Sequence, residues 1–181
     1  MNDILLRLKE HGAVAMMLLL LCVAAVSCGE DDNITVGANV LNVDGTEMEM
    51  GEATFVDYGA MGSGINCDVL ICSEGMSYNV YNSQVTGRGV FVYFEFITSE
   101  SMDLASGTYS FSASEQKPGV FTGNSYYADT RSSGIKAAVK GGRVKVSSSG
   151  DSYSLQFDCE YENGVKIAGH YQGIPSYYQA Q

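Results

Sequence analysis

A strict alternation of apolar and polar residues runs through the C-terminal part of the chain. From Tyr153 to Tyr161 every odd-numbered residue is apolar or aromatic, and every even-numbered residue is polar. Because successive side chains of a strand point to opposite faces, this pattern predicts a strand with one buried and one wet face. Asn163-Gly164 follows as a strong hairpin signal, so a second strand is predicted over Val165 to Gly173.

Further turn signals precede this hairpin. Gly141-Gly142 and Ser149-Gly150-Asp151 separate two more alternating segments, so residues 134–173 are predicted to form a four-stranded meander. Val90 to Ile97 is apolar on both faces apart from Glu95, which is typical of a central strand covered on both sides.

Weaker strand signals occupy the rest of the chain after residue 33. They are Ile34 to Val43 before an Asp44-Gly45 turn, Thr54 to Tyr58 and Asn66 to Cys72 around a Gly59 to Gly64 loop, Thr108 to Ser112, and Ser125 to Asp129. With about nine or ten strands and no helical pattern, residues 34–181 are predicted to form a single all-β domain, an antiparallel β-sandwich or flattened β-barrel. A lipocalin-like barrel, whose cavity can hold a small apolar ligand, is the alternative.

The N-terminal segment has a different pattern. Arg7 and Lys9 precede an unbroken apolar run of 14 residues, Ala13 to Val26. A membrane-spanning helix needs roughly 20 apolar residues. The apolar core of a signal peptide needs about 7–15 residues and is followed by small residues at the cleavage point. Residues 1–27 are therefore predicted to be a signal peptide.

The residues that end the apolar run resemble a bacterial lipobox. In Ala25-Val26-Ser27-Cys28 a small residue stands directly before a cysteine. The resemblance implies that the signal is cut after Ser27 and that Cys28 is acylated. More than one acyl chain anchors a protein firmly in a bilayer, so no membrane-spanning helix is then needed.

An acidic segment directly follows the predicted lipid attachment point. It resembles the export signal of surface lipoproteins of Bacteroidetes-type bacteria, and its acids are Glu30, Asp31 and Asp32. The resemblance implies that residues 28–33 are a lipidated acidic tether and that the domain is displayed on the outer face of the outer membrane. The periplasmic face is the alternative location.

Two glycine-containing patterns near the C-terminus extend this resemblance. Gly169-His170-Tyr171-Gln172-Gly173, after a Gly-x-Val-x-Val strand at Gly142 to Val146, is similar to small β-rich surface lipoproteins of gut Bacteroidetes. The similarity supports the predicted fold and does not indicate any particular activity.

Net charge narrows the set of partners. The chain of 181 residues has a formal net charge of -11, and the four charges among residues 1–27 cancel, so the body carries all of it. An acidic body repels nucleic acid and anionic lipid surfaces, and nucleic acid is therefore not an expected partner. The expected partners are the membrane, through the lipid on Cys28, and a glycan or protein ligand.

Three cysteines remain after Cys22 leaves with the signal and Cys28 takes lipid. Cys159 is predicted to point inward, whereas Cys67 and Cys72, five residues apart, face opposite sides of one strand. A disulfide between Cys159 and one of these two is one interpretation, and three buried thiols is the other.

Neither a catalytic set nor a metal site emerges from the sequence. His170 is the one histidine left after signal cleavage, it lies on the predicted wet face, and no nucleophile motif accompanies it. Asp44, Glu47, Glu49 and Glu52 lie near a turn and can be read as a Ca²⁺ site or as a solvated acidic face, and the absence of an EF-hand pattern favours the second. We expect no enzyme activity, no metal and no cofactor.

Paired tyrosines are the candidate binding residues. Tyr126-Tyr127 and Tyr177-Tyr178 each place adjacent rings on opposite faces of a strand, so one ring of each pair is expected at the surface, where tyrosine suits protein and glycan contacts. The loops Gly59 to Gly64 and Gly123 to Ser125 suit an adaptable rim. The expected function is non-enzymatic binding of a glycan, a host molecule or a partner membrane protein at the cell surface. The alternative is a structural or accessory subunit of a surface fibre or protein assembly.

Overall fold

The computed structural model describes residues 37–100, 103–131 and 134–180. Their regular structure is entirely β, as predicted, and no helix long and apolar enough to cross a membrane occurs in these ranges. The strands are β1 (Val40–Val43), β2 (Thr46–Met61), β3 (Gly64–Ser73), β4 (Met76–Asn79), β5 (Gln84–Gly87), β6 (Val90–Thr98), β7 (Gly107–Ser112), β8 (Val120–Thr122), β9 (Tyr126–Asp129), β10 (Ile135–Ser149), β11 (Ser152–Tyr161), β12 (Lys166–Gly173) and β13 (Ser176–Gln179).

One large sheet contains all of these strands except the β4–β5 hairpin. Its order is β1-β12-β11-β10-β7-β8-β6-β3-β2-β13, and β9 bridges β10 and β6. The first strand pairs on both sides, because Val43 lies opposite Ile167 of β12 and opposite Thr46 of β2. The sheet therefore closes on itself, which fits the predicted flattened barrel. Pairing is antiparallel except between β7 and β8 and between β13 and β2.

Aromatic side chains fill the interior of this closed sheet. The Phe94 ring centre lies 5.3 Å from that of Phe157 and 5.5 Å from that of Phe121, both in edge-to-face geometry. All three side chains are fully buried. A barrel of about eight strands has an interior just wide enough for side chains to fill it. The described interior is thus packed where a lipocalin-like barrel would hold its ligand.

The strand β6 is covered on both faces, as predicted. Its inward side chains belong to the main core. On the outside, Phe91 packs with Met76 of β4, Cys72 of β3 and Ala128 of β9 in a second, smaller apolar cluster. The β4–β5 hairpin contributes to this cluster and so lies against the outer face of the sheet.

The predicted turn at Gly141-Gly142 is wrong. The chain continues through it as the single strand β10, with a bulge between Val139 and Gly141. The bulge lets β10 change partners, because residues before it pair with β9 and residues after it pair with β7. Residues 134–173 therefore form a meander of three strands, β10 to β12, and the predicted turns at 149–151 and 162–164 are confirmed.

Replacing Gly142 by alanine is expected to destabilise the fold by about 1–3 kcal/mol. Gly142 has a φ of 134°, and an added Cβ would lie within 2.4 Å of the backbone oxygen of Asp158. Backbone cannot move aside as a flexible side chain can. The measurement is the free energy of unfolding in urea.

Gly141→Ala is the matched control for this substitution. A Cβ at Gly141 meets nothing within 4 Å, so its effect should be within about 0.5 kcal/mol. Equal losses for the two variants would contradict the close approach at Gly142.

The predicted Gly59 to Gly64 loop is also mostly strand. β2 continues to Met61, β3 begins at Gly64, and only Gly62-Ser63 form the turn. A register shift between Asp57 and Gly59 marks a bulge, where the Gly59 N–H donates to Asp57 Oδ1 over 2.7 Å. The bulge turns Tyr58 outward, half exposed.

The three remaining cysteines are buried and free. Cys159 points inward as predicted, and Cys67 and Cys72 lie on opposite faces of β3, one in the main core and the other in the outer cluster. Burial raises the pKa of both β3 thiols to about 12. The structure thus has buried thiols in place of a disulfide.

Candidate functional site

A groove lined by tyrosines and two acids runs along the outer face of the sheet beside the β4–β5 hairpin. We call it the tyrosine groove, and it is defined by Tyr58, Asp68, Tyr78, Tyr93, Glu95 and Tyr126. Its volume is about 390 Å³. These residues come from β2, β3, β4, β6 and β9, so the site depends on four strands of the large sheet and on the β4–β5 hairpin.

Strand alternation explains why polar groups line this face. Along β3, Cys67 and Val69 enter the main core, and Asp68 between them points outward. Along β6, Phe94 enters the core, and its neighbours Tyr93 and Glu95 face the groove. The register sets Asp68 directly opposite Glu95 on the neighbouring strand.

Tyrosine rings form the walls. The rings of Tyr93 and Tyr126 lie 4.9 Å apart between centres and are tilted by 35°. Tyr58 is 50% exposed, and Tyr78 is half-buried. Lys136 of β10 places its Nζ 3.7 Å from the centre of the Tyr126 ring. That distance is well within the range of a cation–π contact, so the ring already faces an ammonium group.

Asp68 is an acid that is 7% exposed at the floor of the groove. Its Oδ2 accepts a hydrogen bond from the Tyr93 hydroxyl over 2.6 Å, while its Oδ1 is buried and has no hydrogen-bond partner. Burial raises the pKa of Asp68 to about 7, and the nearby charge of Glu95 adds to the rise. The Tyr93 hydroxyl and the Asn66 side chain lower this pKa, although no hydrogen bond of ordinary geometry joins Asn66 to Oδ1.

Glu95 is equally buried, at 6% exposed, but its carboxylate is held by neighbours. The Thr122 hydroxyl donates to Oε1, and the Asn124 side-chain amide donates to Oε1 and Oε2 over 3.0 and 3.2 Å. The Ser125 hydroxyl accepts the Glu95 backbone N–H. The predicted rim loop Gly123 to Ser125 thus contributes directly to the site.

No basic side chain among the described residues forms an ion pair with Asp68 or Glu95. The described ion pairs join Lys117 to Glu115, Arg131 to Asp129 and Lys140 to Glu160. The residues that line the groove include no lysine, arginine or histidine. The lining of the groove is therefore acidic with aromatic walls, and the Lys136 ammonium group lies over one of these walls.

A larger depression, of about 560 Å³, lies at the Gly142 bulge and has a different character. It is lined by both signs of charge, including Arg143, Asp158 and Lys166, and by no aromatic ring. Its charges are already mixed, so the tyrosine groove is the better candidate for a ligand.

The first predicted tyrosine pair divides between core and groove. Tyr126 is half-buried on the groove wall, whereas Tyr127 is buried in the main core with its ring centre 4.7 Å from that of Tyr161. The Tyr127 hydroxyl accepts a hydrogen bond from the Asn163 amide. Of this pair, only Tyr126 is placed to contact a ligand.

The second pair divides in the same way. Tyr177 packs against the main core beside Phe55, with its hydroxyl buried. Tyr178 lies on the other face, with its ring 6.5 Å from that of Tyr81 on the β4–β5 loop. Tyr178 therefore belongs to a neighbouring aromatic surface on the hairpin side, outside the groove lining.

The sequence patterns did not identify five residues of the groove as site residues. Tyr58, Asp68, Tyr93 and Glu95 lie in segments whose pattern predicted strands and nothing more, and Tyr78 lies in a segment without a predicted strand. One signal was present, because Asp68 and Glu95 are the lone acids of their apolar strands. Burying a carboxylate is costly unless other groups compensate its charge, so a lone acid in an apolar strand indicates a specific role.

The other candidate polar residues lie elsewhere. His170 is on the outer face of β12, with its Nε2 2.9 Å from Ser154 Oγ. Asp44 Oδ1 accepts the Lys166 N–H, and Glu52 Oε1 accepts the Tyr78 N–H. Within the described ranges no group of three or more His, Cys, Asp or Glu side chains is arranged to hold a metal ion.

The predicted lipoprotein features lie outside the described residues. These are the signal peptide, its cleavage point at Ser27, the lipidated Cys28 and the acidic Glu30, Asp31 and Asp32. They stay predictions from the sequence. Comparison with protein families, with curated proteins and with solved structures finds no match to this chain.

Proposed function

We propose that this chain is a lipid-anchored binding domain of the bacterial cell surface, without enzyme activity, whose ligand enters the tyrosine groove. The ligand is a glycan, a host molecule or a partner membrane protein. The observation that carries this proposal is the groove itself, which sets four tyrosines around two buried acids on an outer face. Tyrosine offers a large apolar ring and a polar tip at modest cost in side-chain entropy, which suits a contact surface.

The anchor follows from the sequence. In this proposal Cys28 carries the lipid, and the charges of Glu30, Asp31 and Asp32 keep the tether hydrated. The closed domain then stands off the outer membrane with the groove open to large ligands.

Binding is favoured over cleavage by the placement of the acids. Cleavage of a glycosidic bond needs two carboxyl groups on either side of the scissile bond. Asp68 and Glu95 lie side by side on adjacent strands, and Glu95 is already held by Thr122 and Asn124. This arrangement suits recognition of a ligand better than attack on it.

The test uses a fragment of residues 34–181, the compact unit that contains every described strand. It is screened on a glycan array, and in pull-downs of host mucin and of outer-membrane extracts, alongside a Tyr58→Ala variant. Tyr58 is half exposed on the groove wall, so its loss should weaken binding about tenfold while leaving the fold intact.

Tyr81→Ala is the matched control for the groove variant. Tyr81 is 91% exposed and does not line the groove, so its removal should leave binding unchanged. Silence of the wild-type fragment in all three screens would overturn the proposal. So would turnover of a polysaccharide that Asp68→Asn abolishes, or equal loss of binding in the Tyr58 and Tyr81 variants.

The alternative, an accessory subunit of a surface fibre, has less support. Such a subunit commonly accepts a donor strand at an open sheet edge. Here β1 pairs with both β12 and β2, which leaves β13, paired on one side among the described strands, as an open edge of only four residues. A monomeric fragment in light scattering would further disfavour this role.

A further inference from the structure

The groove contains two buried carboxylates with no ion-pair partner among the described residues, an arrangement that lowers the stability of the fold. Asp68 and Glu95 face each other across adjacent strands, and no basic side chain of the described residues pairs with either. Burying a charge is costly unless a partner compensates it. Glu95 has compensation from two neutral donors, whereas Asp68 has one.

The Asp68 carboxyl group keeps an unused acceptor inside the groove. Oδ1 has no hydrogen-bond partner, and the side chain is more than nine-tenths buried. The terminal torsion of an aspartate has a broad energy minimum, so a modest rotation turns Oδ1 toward a ligand. A ligand with a positive charge and an N–H or an acidic C–H would give Oδ1 both a hydrogen-bond donor and a counter-ion.

The walls favour a particular kind of cation. Ring faces attract organic ammonium groups, and several tyrosines around an acid form the arrangement that recognises them. One face of the Tyr126 ring is already taken by Lys136 Nζ, 3.7 Å from the ring centre, so the remaining tyrosines of the groove offer the free ring surface. A metal ion such as Ca²⁺ needs six to eight oxygen ligands, which rings cannot supply.

We propose that the tyrosine groove binds an organic ammonium group, with Asp68 as its counter-ion and the tyrosine rings of the groove beside it. This inference rests on the proposed function and names the chemical class of its ligand. The overall charge of -11 adds a long-range attraction for cations. An amino sugar and a small quaternary ammonium compound share this chemistry, and the experiment separates them.

The experiment follows backbone amide shifts by NMR in the 34–181 fragment at pH 7, where the glucosamine amine is still mostly protonated and Asp68 is partly ionised. One pair of probes is tetramethylammonium and the neutral tert-butanol, which match in shape and differ in charge. The other pair is glucosamine and N-acetylglucosamine, which share a sugar ring and differ in the free amine. From the shifts of groove residues, we expect both cations to bind at least about tenfold more tightly than their neutral partners.

Asp68→Asn keeps the shape of the side chain and removes its charge. It should weaken binding of both cations about tenfold and leave the neutral probes unaffected. Tyr58→Ala should also weaken binding, and Tyr81→Ala should not. Binding of glucosamine but not of tetramethylammonium would assign the site to amino sugars, and the reverse would assign it to small quaternary ammonium compounds.

The pH dependence gives a second readout. The titratable groups that line the groove with Asp68 are Glu95 and Tyr93 on β6, Tyr58 on β2, Tyr78 on β4 and Tyr126 on β9, and Lys136 on β10 lies over the Tyr126 ring. Burial raises the pKa of the hydroxyls of Tyr58, Tyr93 and Tyr126 above the usual range, so these hydroxyls keep their protons. Because the pKa of Asp68 is about 7, binding of tetramethylammonium, whose charge does not change with pH, should strengthen from pH 6 to pH 8 in the wild type and not in Asp68→Asn.

Equal affinity for charged and neutral probes, or cation binding that survives Asp68→Asn, would overturn the inference. If the arrays detect a neutral glycan that depends on Tyr58 while neither cation binds, the inference fails and the proposed function stands. If the arrays and pull-downs are also silent, both fail.

Discussion

Replacing Phe94 by alanine is expected to lower the free energy of unfolding by about 3–5 kcal/mol. Phe94 is 0% exposed, and its ring lies between 5.3 and 5.5 Å, centre to centre, from those of Phe96, Phe121 and Phe157. Its removal leaves a cavity lined by the rings of Phe96, Phe121 and Phe157. The closed sheet limits how far these rings can move into the space. The measurement is urea denaturation followed by circular dichroism.

Phe111→Ala is the control for this substitution. Phe111 is half-buried at the edge of the same core, with its ring 5.8 Å from that of Phe121. Its loss should cost clearly less than that of Phe94, because solvent fills part of the space. Similar costs for both variants, or an apolar dye that binds inside the wild-type domain, would contradict a packed interior and restore the lipocalin-like alternative.

The sequence predicts the β11–β12 hairpin well because local rules decide its structure. Alternation places Leu155, Phe157 and Cys159 inward, and Asn163-Gly164 provides the turn. The same reasoning fails at Gly141-Gly142, where a glycine pair has the composition of a turn. A bulge forms here because the backbone of Gly142 lies close against β11. This contact belongs to the tertiary structure and cannot be seen in the spacing of residues along the sequence.

The short strands were missed for a related reason. β4, β5, β8 and β13 have only three or four residues each, too few for a period of two to stand out. Distant partners define them: β13 runs parallel to β2, which places Tyr177 beside Phe55 although 122 positions separate them in the chain. With these four added and one predicted pair merged into β10, about ten predicted strands become thirteen.

The tyrosine groove was predictable in its parts and not as a whole. Sequence marks Asp68 and Glu95 as lone acids in apolar strands, and it marks Tyr126 as one of a pair in which one ring is expected at the surface. The register of β3 against β6 brings the acids together, and the β4–β5 hairpin brings Tyr78 to them. Local rules that fail at a buried, poorly compensated charge are a common sign of a functional site.

The cost of that charge gives the second large prediction, in which Asp68→Asn stabilises the protein at pH 8. The pKa of Asp68 is about 7 in the folded protein, against 3.8 as its ordinary value. Between these two values the folded state binds more protons than the unfolded state, so the wild-type protein loses stability as pH rises from about 4 to about 7. At about 1.4 kcal/mol per pKa unit, the loss reaches as much as about 4 kcal/mol above pH 7.

The asparagine side chain of this variant has no charge to bury, and its amide oxygen can still accept a hydrogen bond from the Tyr93 hydroxyl. Urea denaturation at several pH values should therefore show a flatter pH dependence for Asp68→Asn, with the largest gain over wild type at pH 8 and little difference at pH 4. Asp151→Asn, at the exposed β10–β11 turn, removes the same charge from the chain and should leave the wild-type pH dependence unchanged. If Asp68→Asn were instead less stable than wild type at pH 8, the carboxylate would be a stabilising group, and the groove would have no unmet charge for a cationic ligand to neutralise.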